Sequence, residues 1–551
     1  MLTRSFMTPE SNQKLVAYTP MFHARMFAEQ AKFRDRMFQP LRSSLTTITS
    51  CPIPDSSIYL DGNTKIDRPL FVQFCANSPE ELLNAAKYVA PFCDAVDLNL
   101  GCPQGIARRG GYGAFLQEDQ DLIFRLINGL HKGLDVPVTA KIRVLETREK
   151  TLAYAKNVLA AGASILTVHG RQREQKGHMT GLADWSVIRY LRENLPKETV
   201  LFANGNILRR EDIERCLEAT GVDGVMSAEG NLYDPAIFAE APEVGEEGRE
   251  YWRGQDGKGG YRADAVMRRY MDIIHQYVLE KPIPERQPLY IPSDASLPVE
   301  KIQENGDDQE EGQPPKKKQK RERGNKTQER CVNPNLTSMQ HHLFHLLRAL
   351  VSKQHHIRDA LARCKAGDIA AFEHVLQLVE IACAKGIKEY AETNGKSWEE
   401  DVVKEEREKE AKVKEQIAKR ELERKGTHSA GGVGKKAEKD GEGEDDEMDE
   451  SSLQTVRECR RPWWVLQPYV RPLPKEALAK GSLTLSKKQI KAMKDDGGSD
   501  GVMARDEKVV DVGKEKVDVG GDGVPVGTVV DVTTPEGAEK VEIPKDGLVC
   551  G

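Results

Sequence analysis

The sequence has no apolar run long enough to cross a membrane, and its opening residues Met1–Thr8 lack the apolar core of a signal peptide. Its ten cysteines include no C-x-x-C pair and no framework typical of secreted proteins, which argues against a zinc ribbon and indicates a reducing compartment. Hydrophobic residues make up only 38% of the 551 residues and charged residues 30%. We therefore expect several domains, with part of the chain outside any core.

Apolar strand patterns alternate with helical patterns from about Leu15 to Phe238. The strands are predicted at 15–19, 69–76, 95–101, 136–144, 164–170, 200–204 and 224–228. This alternation is typical of parallel β/α units whose strands are buried on both faces. The closest standard architecture is the eight-stranded (β/α)8 TIM barrel, so one unit is expected to be missing at the N-terminal side, where about fourteen residues precede the first strand. Such an open barrel would expose sheet edges, and we expect low stability or weak cofactor retention.

Composition changes after residue 240, beyond the predicted barrel domain (1–240). The further segments are predicted as a polar insertion (241–262), a helix (263–280), a disordered basic linker (281–333), a helical domain (334–392), a charged helix (393–425), an acidic linker (426–459), an aromatic segment docking on the helical domain (460–473) and a disordered tail (474–551). The basic run Pro315–Arg323 is equally compatible with a nuclear signal, a phosphate contact or simple solubility.

Cys102 lies directly after the predicted strand 95–101 and before Pro103, which cannot continue a strand ladder. A glycine-rich basic loop with Arg108 and Arg109 follows, and a helical pattern begins at about Ala114. Parallel β/α proteins place their chemistry after the carboxyl ends of the strands. Cys102 is therefore a candidate acid or nucleophile, with a buried structural thiol as the alternative.

Polar or small residues occur at this same end of one predicted strand after another. They are Gln73, Asn99, Lys141, Arg143, His169, Arg171, Asn204, Gly205, Asn206, Ala228 and Glu229. Burying such polar groups unpaired costs several kcal/mol each, so we predict that they converge on a ligand. The last two loops suit a phosphate held by backbone N–H groups, and Lys141 suits an electron-rich ring. This combination indicates flavin mononucleotide (FMN), with an aldolase-type barrel as the alternative.

Several stretches resemble the signature of the tRNA-dihydrouridine synthases. They are D-L-N-L-G-C-P-Q-G-I-A-R-R-G-G-Y-G-A-F-L (97–116), A-K-I-R-V (140–144), T-V-H-G-R-Q-R-E-Q-K-G (167–177) and F-A-N-G-N-I (202–207). Y-T-P-M-F-H-A, V-Q-F-C-A-N and M-S-A-E-G-N-L are most similar to the eukaryotic subgroup acting at positions 16 and 17 of the tRNA D-loop. The sequence departs from the family where a Gly-Arg phosphate pair is replaced by Ala228-Glu229, which leaves that loop dependent on backbone donors.

The resemblance implies that Cys102 protonates C5 of a uracil while reduced FMN, recharged by NAD(P)H, gives a hydride to C6. It implies FMN contacts from Gln73, Lys141, His169, Asn204, Gly205, Asn206, Ala228 and Glu229, and substrate contacts from Asn99, Arg143, Arg171, Arg108 and Arg109. The helical domain (334–392) would bind tRNA. We expect a monomer of the cytoplasm or nucleus, without a metal or a membrane partner. The alternatives are a flavin oxidoreductase of free pyrimidines and an RNA-binding protein without catalysis.

Overall fold

The computed structural model describes residues 1–46, 55–295, 331, 333–408, 411 and 452–479. Eight strands form one parallel sheet: β1 Ala17–Tyr18, β2 Phe22–His23, β3 Leu70–Cys75, β4 Ala95–Leu100, β5 Val138–Arg143, β6 Ile165–His169, β7 Val200–Asn204 and β8 Gly224–Met226. The sheet order is β1-β3-β4-β5-β6-β7-β8, and β2 pairs with β3 as well. Since β1 and β2 both pair with β3 and flank Pro20, they form one interrupted sheet position.

Helices precede, connect and follow these strands, as the prediction of parallel β/α units requires. They are α1 Pro9–Lys14, α2 Ala24–Glu29, α3 Ala31–Met37, α4 Pro79–Val89, α5 Gly105–Gly110, α6 Gln120–Gly133, α7 Arg148–Ala160, α8 Trp185–Asn194, α9 Arg210–Thr220 and α10 Glu229–Tyr233. Short polar side chains cap the N-termini of three longer helices. Ser78, Thr147 and Asp184 accept hydrogen bonds from amides in the first turns of α4, α7 and α8. The predicted parallel β/α fold is confirmed.

Residues of the central strands alternate between two buried environments. Leu98 and Leu100 of β4 and Ala140 and Ile142 of β5 belong to the large hydrophobic core between sheet and helices. The residues between them, such as Asn99 and Lys141, are equally buried but polar. Because successive strand side chains point to opposite faces, these polar residues face the concave side of the sheet. One face of the sheet therefore packs the core, and the other is available for chemistry.

The sheet path stays open between β8 and β1 in the described part of the chain. Residues 3–14 cross this gap as a 3-10 turn, Thr3–Phe6, followed by α1. Thr3 Oγ1 lies 3.1 Å from Asn231 Oδ1 beyond β8, and Arg4 donates a 2.7 Å hydrogen bond to the Pro69 carbonyl just before β3. The gap in the sheet is thus bridged by side chains and not by a strand.

A second hydrophobic core follows the barrel in the chain. Its elements are the hairpin β9 Tyr251–Arg253 and β10 Gly259–Tyr261, then α11 Ala263–Ile273 with a π-turn at Ile274–Val278, α12 Pro334–Thr337, α13 Met339–Leu346, α14 Arg348–Lys353, α15 His355–Arg363 and α16 Ile369–Glu392. Further along the chain come a helical stretch over 396–408 and the helices α17 Ser452–Cys459 and α18 Pro474–Ala479. Met267, Leu343, Phe372 and Trp464 are buried together in it. Residues 1–474 form one compact unit, and a second unit begins at Lys475.

Two stretches differ from the segments expected from the sequence. The expected polar insertion 241–262 contains the hairpin β9–β10, whose Trp252 and Tyr261 pack on the second core. The expected disordered linker is ordered over 281–295, since Arg286 pairs with Asp272 and Glu373 and Tyr290 is buried. Sequence periodicity missed both stretches because their contacts come from helices distant in the chain.

Two shorter helices also differ from expectation. The basic loop after Cys102 is helical as α5, because a first turn closes from Arg108 N to the Gln104 carbonyl and Gly111, at φ +64°, ends it. The end of the expected acidic linker is α17. The basic run Pro315–Arg323, most of the acidic linker and most of the tail lie outside the described residues. Within the described residues, no helix combines the length and apolar character needed to span a membrane.

Candidate functional site

Cys102 lies in a fixed loop directly beyond β4, and only 3% of its surface is exposed. Asn99 Oδ1 accepts hydrogen bonds from the amides of Gly101 (3.0 Å) and Cys102 (2.9 Å), and the Cys102 carbonyl accepts one from Ala114 (3.1 Å). Gly113 has φ +65°, and a Cβ there would come within 2.9 Å of the Cys102 carbonyl oxygen. The thiol therefore belongs to a loop with little freedom to shift.

A chain of buried hydrogen bonds sets the orientation of Asn99. Asn99 Nδ2 donates to Gln73 Oε1 (2.8 Å), and Gln73 Nε2 donates to Asp97 Oδ2 (2.8 Å). Thr139 Oγ1 donates to the other oxygen of Asp97 (2.7 Å). Burial raises the pKa of Asp97, while these donors and Lys141 act in the opposite direction. Because Asp97 accepts at both oxygens, each amide in the chain has one possible orientation, and the Asn99 oxygen faces the Cys102 loop.

Asp97→Ala is expected to lower the free energy of unfolding by about 3 kcal/mol, because the Gln73 and Thr139 donors lose their buried acceptor. Urea unfolding monitored by circular dichroism measures the change. Asp135→Ala, at an exposed position just before β5, is the matched control and should change stability by less than about 0.5 kcal/mol. A loss below about 1 kcal/mol for Asp97→Ala would contradict this account.

Positive side chains surround the concave ends of β5 and β6. Arg143 donates to the Gly101 carbonyl (2.7 Å) and to the Gln172 carbonyl (3.1 Å), which joins the loops after β4 and β6. Arg171 donates to Asn206 Oδ1 (2.7 Å) and to the Gly181 carbonyl (3.1 Å). Burial lowers the pKa of Arg171 to about 10, and Glu229 opposes this shift. The site is therefore suited to an anionic ligand.

His169 is neutral and has a defined tautomer. Its burial, together with Lys141, Arg143 and Arg171, holds its pKa well below the usual value. Its Nε2 lies 3.0 Å from Arg171 Nη1, which can only donate, so Nδ1 carries the hydrogen. Within the described chain, Nδ1 has no hydrogen-bond partner, and neither has Oδ1 of Asn204, its neighbour on β7. An unpaired donor beside an unpaired acceptor indicates a polar ligand here.

His169 is expected to make the fold sensitive to acid. The unfolded chain takes up a proton near pH 6.5, whereas the folded chain resists it, so stability falls as the pH drops below about 6.5. The slope contributed by this one group approaches about 1.4 kcal/mol per pH unit. His169→Gln should flatten urea-unfolding stability between about pH 7 and 5, and His131→Gln, an exposed histidine of α6, should not. Parallel pH profiles for wild type and His169→Gln would contradict the assignment.

The loop Asn204–Asn206 is held in an uncommon backbone conformation. Gly205 has φ +109° and Asn206 has φ +63°, and a Cβ at Gly205 would lie 2.6 Å from Ala183 Cβ. Trp185 Nε1 donates to the Gly205 carbonyl (3.1 Å), and Asn204 Nδ2 donates to the Met226 carbonyl (2.9 Å). Such strain persists where surrounding contacts enforce it, commonly at ligand sites.

The structure brings most of the predicted site residues to one end of the sheet. Gln73, Asn99, Cys102, Lys141, Arg143, His169, Arg171, Asn204, Gly205 and Asn206 lie at or just beyond the ends of β3 to β7, and Ala228 and Glu229 follow β8. Arg108 and Arg109 are exposed on α5 and do not join this cluster. Their roles, and those of the clustered residues, remain predictions.

Sequence reasoning missed three residues of this end of the sheet. Asp97 and Thr139 could have been predicted from the sequence. Each lies two positions before a predicted site residue and therefore on the same face of its strand. Arg471 pairs with Glu229 at 2.8 Å, from 242 positions further along the chain. No sequence signal indicates that contact.

These features define a parallel β/α protein with a candidate ligand site at the carboxyl ends of its strands. The profile of the family "Dihydrouridine synthase (Dus)" matches residues 2–282. The "tRNA-dihydrouridine(16/17) synthase [NAD(P)(+)]" of Saccharomyces cerevisiae is 55% identical over 261 residues, which are 47% of this chain and 55% of that protein. The protein of the same name from Schizosaccharomyces pombe is 56% identical over 223 residues, 40% of this chain and 51% of that protein.

This chain belongs to the dihydrouridine synthase family, as the sequence resemblance predicted. It spans about half the length of the curated relatives that it matches. Among solved structures, DHODH from Eimeria tenella aligns at 16% identity over 32% of this chain and 57% of that chain, with a TM-score of 0.27. The fold assignment here rests on the strand order and pairing, not on that alignment.

Proposed function

We propose that this chain reduces uridine to 5,6-dihydrouridine in tRNA, at positions 16 and 17 of the D-loop, with FMN as its resident cofactor and NAD(P)H as electron source. The observation that carries the proposal is the Cys102 loop, which an oriented chain of buried hydrogen bonds holds next to a cationic polar cluster. A thiol so placed suits a proton donor, because a free thiol has a pKa of about 8.5 and is protonated at neutral pH.

The polar cluster fits FMN in its chemistry. A flavin ring has a uracil-like edge with alternating acceptors and a donor, which matches the unpaired His169 Nδ1 hydrogen and Asn204 Oδ1. Lys141 and Gln73 complete the set of buried polar residues facing the same side. The strained loop Asn204–Asn206 and the start of α10 suit the phosphate, as loops after the last two strands do in this architecture. When bound and reduced, FMN supplies the hydride for C6 of the uracil.

The side chains of the protein have the remaining tasks. Cys102 gives a proton to C5, on the ring face opposite the hydride, and the proton is replenished from solvent. Asn99 and Arg143 position the uracil, because both are hydrogen-bonded to the Cys102 loop and cannot shift independently of it. The target nucleotide must leave its stack to enter the site. Arg108 and Arg109 are exposed and follow Cys102 closely in the sequence. They contact the RNA backbone.

Further parts of the proposal concern partners and location. The helical residues 334–392 bind the body of the tRNA, and the chain acts as a monomer in the cytoplasm or nucleus. Wild-type protein is expected to bind FMN, measured by quenching of flavin fluorescence, and to form dihydrouridine in unmodified tRNA with NADPH or NADH, measured by mass spectrometry of nucleosides. Reduction of free uridine but not of tRNA would favour a free-pyrimidine oxidoreductase. FMN-independent tRNA binding without any reduction would favour a non-catalytic RNA-binding protein.

A further inference from the structure

The segment Arg460–Pro474 and the end of α17 before it contact the loops after three consecutive strands. Pro474 Cγ lies 3.8 Å from the ideal Cβ position of Gly181, beyond β6. Glu458 accepts a 2.7 Å hydrogen bond from Arg209, beyond β7, and Arg471 pairs with Glu229, beyond β8. The same segment is anchored in the second core by Trp464 and Leu466. A part of the chain remote in sequence therefore borders the candidate ligand site.

Glu229 holds the Arg471 guanidinium along one edge. Arg471 Nε lies 3.0 and 3.1 Å from the two Glu229 carboxylate oxygens, and Nη2 lies 2.8 Å from one of them. The Tyr469 ring, 5.6 Å from the guanidinium carbon, lies alongside. Within the described chain, Nη1 makes no hydrogen bond, and the Arg471 side chain is 37% exposed. Because Glu229 fixes the orientation of the guanidinium, Arg471 offers its Nη1 edge to a ligand.

The neighbouring arginines are already engaged. Arg143 binds two backbone carbonyls, and Arg171 binds Gly181, Asn206 and His169. Arg471 is close to this cluster, since both it and Glu229 influence the pKa of Arg171. Of these three arginines, Arg471 has the guanidinium edge that remains available to an anion.

We propose that Arg471 is a residue of the cofactor site and that its Nη1 edge binds the phosphate of FMN, with Glu229 orienting the guanidinium. The proposal rests on the assignment of FMN in the proposed function. The proposed phosphate-binding residue thus lies in a segment outside the barrel and outside residues 2–282, which the family profile matches. The competing explanation is that the Arg471–Glu229 pair only fastens two segments together.

Riboflavin separates these explanations, because it has the flavin ring of FMN but no phosphate. Both dissociation constants are measured by fluorescence quenching for full-length wild type and Arg471→Ala. Arg471→Ala is expected to weaken FMN binding about tenfold and to leave riboflavin binding within about twofold. Arg471→Lys, which keeps the charge, should recover part of the FMN affinity. Arg457→Ala, an exposed arginine of α17, is the matched control and should match wild type.

Two results would overturn the proposal. One is an equal loss of FMN and riboflavin binding, or no loss of either, in Arg471→Ala. The other is full recovery of FMN binding in the double variant Arg471→Ala/Glu229→Gln, because Arg471 would then serve only to neutralise Glu229. If wild type prefers FMN over riboflavin and Arg471→Ala keeps that preference, only this proposal fails. If wild type shows no preference for FMN, the cofactor assignment fails as well.

Discussion

Cys102→Ala is expected to lower the rate of dihydrouridine formation by about 10²- to 10⁴-fold, the range contributed by a positioned general acid. The alanine side chain has no proton for C5, while the loop amides and Asn99 keep their hydrogen bonds because these involve the backbone of residue 102. FMN binding should therefore stay within about twofold of wild type. The measurement is single-turnover reduction of unmodified tRNA by protein loaded with reduced FMN, followed by nucleoside mass spectrometry.

The control for this variant is Cys331→Ala, a half-buried cysteine that packs at the margin of the second core. It should retain wild-type rates. Cys75→Ser is a less suitable control, because Cys75 is buried against Cys102 and Tyr112. Retention of more than about a tenth of the wild-type rate by Cys102→Ala would remove the thiol from the mechanism, and loss of FMN together with activity would indicate a structural role.

Trp464→Ala is expected to lower the free energy of unfolding by about 3–5 kcal/mol, the usual cost of removing a large buried aromatic ring. Trp464 is 3% exposed and packs edge-on against Trp252 and Tyr390, at ring-centroid distances of 6.2 and 6.0 Å. Its backbone carbonyl also accepts a 2.8 Å hydrogen bond from Ala263, at the start of α11. Thermal and urea unfolding measure the loss.

Trp464→Phe keeps an aromatic ring in this core and removes the indole N–H. Trp464 Nε1 is buried without a hydrogen-bond partner in the described chain, so phenylalanine gives up no polar contact there. We expect it to cost about 1–2 kcal/mol, less than half the cost of alanine. A loss below about 1 kcal/mol for Trp464→Ala would show that the ring does not stabilise this core.

The alternation of strands and helices was predictable because buried parallel strands are short apolar runs and their helices have a distinct period. The strand β7 occurs at the predicted residues 200–204, and the strands β3 to β6 and β8 begin and end within two residues of their predicted bounds. The loop after Cys102 was misjudged: its glycines and arginines indicated an irregular loop, but one hydrogen-bonded turn forms α5 there. Short helices of this kind depend on closure by neighbours more than on propensity.

The candidate site was predictable in composition but not in connectivity. Polar residues at strand ends indicate a shared ligand site, since the ends of parallel strands meet at one edge of the sheet. The hydrogen bonds from Asn99 to Gln73 and from Gln73 to Asp97 were not predictable, because their direction depends on distances between side chains of adjacent strands. The low pKa of His169 follows first from its burial and then from three positive neighbours, Lys141 and Arg143 on β5 and Arg171 in the loop after β6. The sequence pattern specifies neither the burial nor the positions of these neighbours.

The sequence alone was sufficient for the parallel β/α architecture, the family and the thiol at a strand end, because each is encoded in a local pattern of apolar periods and contiguous motifs. Tertiary structure decided which side chains touch. It bridges the sheet opening with Arg4, orients Asn99 through Asp97, and brings Arg471 to Glu229 across 242 positions. Contacts between residues so far apart arise when separate elements pack, and no local pattern records which elements will meet.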